Sequence, residues 1–309
     1  MKKWIIGVMV MFSVQTIVAQ ITGDVYLFSY FKNNGEDGLH LAYSYDGYKW
    51  LALKSDSSFL KPTVANDKLM RDPCIIRGAN GLYHMVWTVS WNDKGIGYAS
   101  SPDLVHWSEQ QFIPVMQHED SARNCWAPEI TYDAKNKQYM IYWATTIPGR
   151  FAAGDTSGDA KYNHRMYYVT TKDFKKFSKT KLLYDKGFNV IDASIVPDGN
   201  RFIMFLKDET RYPPQKNIRV ATSTKLTEGY SKPSFSITGN YWAEGPTAIK
   251  ITDHWIVYFD KYRDHKYGAV VSRNLVNWTD VSDKIQMPQG ARHGTVFIIT
   301  RDELAVLLK

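Results

Sequence analysis

The segment Ser101-Pro102-Asp103-Leu104-Val105-His106-Trp107 is one copy of a short motif that recurs along the chain and decides the fold. Its best-kept copies combine a hydroxyl side chain, an Asp or Asn two residues later, and an aromatic residue at the end. The copies, two of them looser than the rest, are 44–50, 101–107, 171–177, 223–230 and 272–278. Short strand patterns precede them, as at 97–99 and 219–221. Repeats at intervals of about fifty to seventy residues indicate a propeller or a related repeat architecture.

A second repeat alternates with the first and marks the starts of buried strands. Its copies lead from polar residues through small residues or proline into an aliphatic run, and they include Asp72, Ala127, Asp192, Glu244 and His293. Four of these copies are followed by an aromatic strand pattern, over 83–88, 138–143, 201–206 and 255–259. The repeating unit therefore contains four strands, which is the number in a propeller blade.

The fifth opening strand, at His293, has no successors before Lys309. Its partner strands are present at the other end of the chain, over 25–31, over 39–44 and after Trp50. A blade assembled from both chain ends closes the ring and protects sheet edges that would otherwise template aggregation. We therefore predict an all-β fold, a single five-bladed β-propeller over residues 20–309.

Composition and charge exclude several classes of protein. The net charge of the 309 residues is +7, and the basic residues are scattered singly among acidic ones, so we expect no nucleic-acid partner. Two cysteines cannot form a disulfide framework or a cysteine-based zinc site. Cys74 and Cys125 either pair with each other or remain as two buried thiols.

The N-terminus has the pattern of a secretory signal peptide. Lys2 and Lys3 precede an apolar stretch over 4–18, and the small residue Ala19 follows. We predict a signal peptide over residues 1–19 and a periplasmic or secreted mature protein. The apolar stretch is shorter than the ~20 residues of a spanning helix, so we expect no membrane span, and we expect a monomer.

Three carboxylates stand at the starts of inner strands from three different blades: Asp72, Asp192 and Glu244. The topology brings them to one mouth of the ring, where their mutual repulsion raises the pKa of at least one of them. Glycoside hydrolysis requires such carboxyl groups on opposite sides of a sugar, one protonated and one ionised. The 10 Trp, 20 Tyr and 14 Phe offer flat faces for sugar rings.

The strand-opening motifs, taken as a set and in this order, resemble those of glycoside hydrolase family 43. They are Arg71-Asp72-Pro73, Trp126-Ala127-Pro128, Ile191-Asp192-Ala193-Ser194, Glu244-Gly245-Pro246 and His293-Gly294-Thr295. The resemblance covers almost the whole mature chain. It implies an inverting glycosidase of plant polysaccharides, in a family of arabinofuranosidases, arabinanases, xylosidases and some galactan-active enzymes.

The resemblance also implies a role for each motif residue. Asp72 corresponds to the general base, Glu244 to the general acid, and Asp192 to the residue that raises the pKa of the acid and orients it. His293 corresponds to a histidine near the channel axis that helps to hold a structural Ca²⁺ in many members. No cofactor is required for the chemistry.

Five further residues are candidates for substrate binding: Trp91, Trp126, Glu129, Arg292 and Tyr262. Trp91 and Tyr262 lie in loops that the topology places at the mouth. Glu129 is an extra carboxylate with either a structural or a substrate-side role. Arg292 either binds a sugar hydroxyl or forms a salt bridge to one of the acids.

An α-L-arabinofuranosidase is the expected activity, on an arabinose-, xylose- or galactose-containing polysaccharide or oligosaccharide. The alternatives are a β-xylosidase, a galactan-active hydrolase, and a carbohydrate-binding propeller without catalysis. The sucrose-cleaving propellers of family 32 also use an Arg-Asp-Pro element, but their Asn-Asp-Pro-Asn-Gly and Glu-Cys motifs do not occur in this sequence.

Overall fold

The computed structural model describes residues 24–151 and 158–309, so the predicted signal peptide lies outside the described residues. Nearly all of the regular structure is β-strand. The strands are β1 (Val25–Phe31), β2 (His40–Ser44), β3 (Leu51–Ala52), β4 (Arg71–Arg77), β5 (Tyr83–Thr88), β6 (Ile96–Ser101), β7 (Gln111–Ile113), β8 (Trp126–Asp133), β9 (Gln138–Thr146), β10 (His164–Thr171), β11 (Lys181–Tyr184), β12 (Val190–Asp198), β13 (Arg201–Asp208), β14 (Asn217–Ser223), β15 (Glu244–Ile251), β16 (His254–Lys261), β17 (Lys266–Ser272), β18 (Thr279–Asp280) and β19 (Arg292–Ile299).

The strands form five antiparallel sheets, which are the five predicted blades. Blade 1 is β4-β5-β6-β7, blade 2 is β8-β9-β10-β11, blade 3 is β12-β13-β14, blade 4 is β15-β16-β17-β18, and blade 5 is β19-β1-β2-β3. The inner strands β4, β8, β12, β15 and β19 contact one another in this cyclic order. The prediction of a five-bladed β-propeller is therefore confirmed.

Blade 5 closes the ring in the predicted way. Strand β1 pairs antiparallel with β19, and the register joins Val25 to Ile299 and Ser29 to Thr295. On its other side β1 pairs with β2. Strands from the two ends of the chain therefore share one sheet, and both edges of β1 are hydrogen-bonded.

Blade 3 departs from the predicted unit because it has three strands. Its fourth position is an irregular segment whose backbone amides at Ser231, Ser234 and Ile237 still donate to β14. Lys232-Pro233 interrupts this segment, and proline has no amide hydrogen to add to a ladder. The outer edge of the blade is thus covered without a regular strand.

The recurring motif of a hydroxyl residue followed two positions later by Asp or Asn forms a tight turn after the third strand in four of the five blades. In blade 1 the Ser101 hydroxyl accepts from the amide of Leu104 at 2.8 Å, and Asp103 Oδ1 accepts from Val105 and His106 at 2.9 and 2.8 Å. The same bonds form around Asp46, Asp173 and Asn274. A hydroxyl followed by a short carboxylate or amide replaces the missing backbone partners of the turn, which is why this pattern repeats.

The core lies between neighbouring blades and is rich in aromatic residues. Trp87, Trp143 and Tyr258 are fully buried there. Cys74 and Cys125 are buried free thiols, so they do not pair. Burial raises the pKa of both.

A C-terminal helix was not predicted from the sequence. Helix α1 (Arg301–Leu307) begins with a capping box between Thr300 and Glu303 and buries Leu304 and Leu307 against the core of blades 5 and 1. Within the described ranges, no helix has the length and apolar character that crossing a membrane requires.

Each inner strand opens with a β-bulge, and this feature positions the functional groups. The register with the second strand shifts between the first and fourth residues of the bulge. The five bulges are 71–74, 126–129, 191–194, 244–247 and 292–295. Their second residues Asp72, Ala127, Asp192 and Gly245 have φ between 46° and 59°. Left-handed backbone costs a non-glycine residue on the order of 1–3 kcal/mol, and such strain clusters at functional sites.

Candidate active site

The five bulges surround one pocket of about 480 Å³ at one end of the propeller axis. Every catalytic residue predicted from the sequence lines it, and so does every predicted substrate-binding residue except Glu129. The predicted residues in its lining are Asp72, Trp91, Trp126, Asp192, Glu244, Tyr262, Arg292 and His293.

The bulges allow two consecutive residues of a strand to reach the same pocket. Side chains of a regular strand alternate between its two faces, yet Arg71 and Asp72 both line the pocket, and so do Arg292 and His293. The fourth residues of the bulges all line a second cavity, of about 740 Å³, at the opposite end of the axis. The bulges thus mark the boundary between the two cavities.

Asp72 is held in its ionised form by its neighbours. His293 Nδ1 lies 3.2 Å from Asp72 Oδ1, and the Thr88 hydroxyl donates to Asp72 Oδ2 at 2.8 Å. Burial alone would raise the pKa of Asp72, but the hydrogen bond and charge of His293, the charge of Arg71 and the Thr88 bond lower it to about 2. Asp72 can therefore accept a proton from water over the whole neutral range.

Asp192 is the carboxyl of this group whose pKa is raised. It is almost fully buried, and its Oδ2 accepts from the backbone amide of Gly245 at 3.0 Å. Burial raises the pKa of Asp192 to about 6, with a further contribution from the charge of Glu244. The sequence argument expected a raised pKa among the three acids, and Asp192 carries it.

Glu244 lies between two cations. Lys207 Nζ donates to Glu244 Oε2 at 3.0 Å, and Arg292 Nη2 donates to Oε1 at 3.2 Å. Arg292 is in turn held by Asp260 Oδ2 at 2.6 Å. Arg292 therefore forms the salt bridge that was one of its two predicted roles. Both carboxylate oxygens of Glu244 accept hydrogen bonds from cations.

Aromatic rings form one wall of the pocket. The Tyr162 ring stacks on His164 at 5.1 Å and packs at 4.7 Å against Trp126. Trp91 meets Trp126 edge-on at 5.5 Å and is 42% exposed. The Arg71 guanidinium lies 4.2 Å from the centre of the Trp91 ring. This wall presents exposed ring surface to the pocket opening.

Glu129 does not lie where a substrate-binding residue was expected. It is the fourth residue of its bulge and lines the second cavity, at the other end of the axis. Its Oε1 accepts from the Thr295 hydroxyl at 3.3 Å, and burial raises its pKa to about 7. The bulge directs Trp126 and Glu129 to opposite ends of the channel, so only Trp126 reaches the pocket.

His293, to which the resemblance assigned a part in holding Ca²⁺, is paired with the carboxylate of Asp72 in this structure. Burial alone would lower the pKa of His293, but the hydrogen bond and charge of Asp72 raise it to about 9. Across residues 24–151 and 158–309, no three His, Cys, Asp or Glu side chains form a metal-binding group. His293 is the ion-pair partner of Asp72, and a structural Ca²⁺ near it stays a prediction.

Sequence reasoning missed a group of buried charges behind Glu244. Lys207, Glu209 and Lys216 all line the pocket, and both lysines are at most 2% exposed. The aromatic pattern that predicted the strand ended at 206, one residue before Lys207. An isolated Lys-Asp-Glu sequence at a strand end gives no signal that its charges turn inward.

Comparison with known proteins identifies a family that this chain matches. The sequence model of a family related to glycoside hydrolase family 43, described as "Probable glycosyl hydrolase domain", matches residues 23–305. A curated α-L-arabinofuranosidase of Bifidobacterium longum subsp. longum is 21% identical over 164 residues, which are 45% of this chain. The match spans only 15% of that much longer protein.

Solved structures share the fold. A thermostable family-43 glycoside hydrolase superposes with a TM-score of 0.55 and 18% identity, covering 74% of this chain and 82% of that one. A family-43 β-1,3-galactosidase with galactodeoxynojirimycin superposes with a TM-score of 0.53 and 12% identity, covering 72% and 80%. At these identities the superpositions show the common propeller.

Proposed function

The chain belongs to the family of probable glycosyl hydrolase domains related to glycoside hydrolase family 43, and we propose on this basis that it removes terminal α-L-arabinofuranosyl groups from plant cell-wall polysaccharides or their oligosaccharides. Enzymes of this family cleave glycosidic bonds with inversion. The observation that carries the proposal is the convergence of Asp72, Asp192 and Glu244, from three blades, on one pocket.

Asp72 is the proposed general base. Its carboxylate is ionised at neutral pH because His293 and Thr88 hold both oxygens. A water molecule beside it would give up a proton to Asp72 as its oxygen attacks the anomeric carbon. Imidazolium at His293 keeps Asp72 oriented during this transfer.

Glu244 is the proposed general acid. Its proton passes to the glycosidic oxygen as the bond to the anomeric carbon breaks, so that the leaving group departs as an alcohol. Asp192 acts indirectly: when it is ionised, its negative charge favours the protonated form of Glu244. Arg292 and Lys207 oppose that protonation, and the bound substrate has to displace one of these contacts to reach Glu244.

A pocket of about 480 Å³ is at the small end of the roughly 300–1,000 Å³ typical of ligand sites. We propose that it holds one terminal sugar, with the exposed face of Trp91 stacking against the next unit. The arabinose specificity rests on the similarity to the curated arabinofuranosidase. The shared fold with a β-1,3-galactosidase supports a galactan-active hydrolase as the second candidate.

A substrate screen tests the proposal. Purified protein is incubated with nitrophenyl α-L-arabinofuranoside, β-xyloside and β-galactoside, and with arabinan, xylan and arabinogalactan. Release of arabinose, with the inverted anomer formed first by NMR, is the expected result. Release of galactose or xylose alone would reject the arabinofuranosidase, and binding without hydrolysis of any substrate would indicate a carbohydrate-binding propeller.

We also propose that the protein acts outside the cytoplasm, as a periplasmic or secreted monomer. The charged, apolar and small residues in succession over 1–19 support export. Sequencing the N-terminus of protein secreted by a bacterial host tests it, and the expected first residue is near Gln20. An intact Met1 would contradict export.

A further inference from the structure

We propose that Lys207 is a positioning residue that fixes one oxygen of the Glu244 carboxyl group and places a buried positive charge beside it. The inference rests on the proposed role of Glu244 as the general acid. It adds a residue that neither the strand-opening motifs nor the family resemblance assigns.

The first argument is geometric. Lys207 lies at the pocket end of β13, where it is opposite Ile191 in the register with β12. Its side chain is 2% exposed, and its Nζ lies 2.7 Å from Glu209 Oε2 and 3.0 Å from Glu244 Oε2. The Tyr262 ring covers the ammonium group at 4.7 Å. A lysine enclosed on these sides has little rotational freedom, so it holds Glu244 Oε2 in place.

The second argument concerns charge. Burial alone would lower the pKa of Lys207, but the charges of Glu209 and Glu244 raise it, so the ammonium stays protonated. Removing a buried charge from water is costly unless it is paired, and Glu209 supplies that pairing independently of Glu244. Lys216 and Lys207 together hold Glu209 ionised by lowering its pKa against the effect of burial.

The third argument is that the two cations paired with Glu244 differ in solvent exposure. Arg292 is 31% exposed at its side chain, and Lys207 is enclosed. Lys207 holds Oε2 from the enclosed side, and the more exposed Arg292 contacts Oε1. On this proposal the proton to be donated is carried by Oε1, the oxygen that Lys207 does not hold.

Removing the charge of Lys207 should change the pH profile. A positive charge within hydrogen-bonding distance typically lowers the pKa of a carboxyl group by about 1–3. In Lys207→Met, Glu244 holds its proton more tightly, so the alkaline limb of kcat/KM should move up by about one pH unit or more. A weaker acid should also slow glycosides with poor leaving groups more than activated aryl glycosides, which need less protonation.

Lys216→Met is the matched control. Lys216 is 1% exposed and pairs with the same Glu209 carboxylate, as well as with Asp159 Oδ2 at 3.3 Å, but no contact with Glu244 is found in the described part of the chain. Its replacement should lower the melting temperature by a similar amount and leave the alkaline limb in place. Lys207→Arg, which keeps the charge, should restore the limb towards its wild-type position.

A double variant keeps the test valid if Lys207→Met does not fold. Lys207→Met with Glu209→Gln removes one charge of each sign, and the limb should again move upward, by less than in Lys207→Met because a nearby negative charge is also lost. An unmoved limb in both variants, or equal losses on good and poor leaving groups, would overturn the inference. Glu244→Gln separates the two proposals: near-wild-type activity of that variant would overturn the proposed acid and this inference together, whereas inactive Glu244→Gln with an unmoved limb overturns only the role of Lys207.

Discussion

His293 Nδ1 and Asp72 Oδ1 lie 3.2 Å apart and form a buried ion pair at the floor of the pocket. The two residues occupy the same position, the second, in the bulges of β19 and β4, which are adjacent around the ring. The pair couples the last inner strand of the chain to the first. It also fixes the charge of the proposed base, because His293 is protonated at neutral pH.

Asp72→Asn should lower kcat/KM by about 10²- to 10⁴-fold, since an amide cannot accept the proton of the attacking water. Rates on the best substrate of the screen, together with circular dichroism, check this. Glu129→Gln is the matched control, because Glu129 is a buried carboxyl group that lines the opposite cavity. Its rate should stay within a few-fold of wild type, and an equal loss in both variants would contradict the assignment of the base.

His293→Gln should remove a pH-dependent part of the stability. The pKa of His293 is about 9 in the folded protein and ~6.5 when unfolded, so the folded state binds more protons between these values. The ion pair therefore stabilises fully below about pH 6.5, and this stabilisation is lost as the pH rises through 9, by about 2–3 kcal/mol. Urea unfolding at pH 6 and pH 9.5 measures it: the loss should be larger in wild type than in the variant. Equal losses would show that His293 does not titrate in this window.

Asp192→Asn should move the alkaline limb of kcat/KM to lower pH, the opposite direction to Lys207→Met. Removing a negative charge near Glu244 makes the protonated form of the acid less favourable. The side-chain amide oxygen of Asn can still accept from the Gly245 amide, so the fold should be retained. Measurement of kcat/KM against pH for both variants tests whether their alkaline limbs move in opposite directions. Movement in the same direction would contradict the electrostatic argument.

Gly245→Ala should destabilise the protein and reduce activity together. A Cβ at Gly245 would lie 2.3 Å from His293 Cγ, and the residue has a φ of +59°. We expect a loss on the order of 1–3 kcal/mol or more in the free energy of unfolding, together with displacement of His293 from Asp72. Gly81→Ala is the control, because Gly81 has a φ of +82° with open space around it. Comparable activity losses in both variants would show that the His293 contact is unimportant.

The sequence predicted the ring, its closure and the meeting of Asp72, Asp192 and Glu244, because two alternating repeats determine where each inner strand begins. It did not predict the bulges, and this explains the position of Glu129: the register shift inside 126–129 sends Trp126 and Glu129 to opposite ends of the channel. Lys207 was missed for a different reason. Its role depends on two carboxylates that are distant or unremarkable in sequence, Glu244 and Glu209, and only the folded chain brings all three together.

The pairing of β1 with β19 also sets an order of events during folding. Ser29 and Thr295 are 266 residues apart in sequence, yet they share a hydrogen bond in one blade. Contacts between such distant residues form slowly, because a long loop has to close first. One edge of strand β1 therefore stays unpaired until β19 has been synthesised. The propeller acquires its last blade, and with it the pairing of His293 with Asp72, only once β19 is available, so a nascent chain that lacks β19 has no assembled pocket.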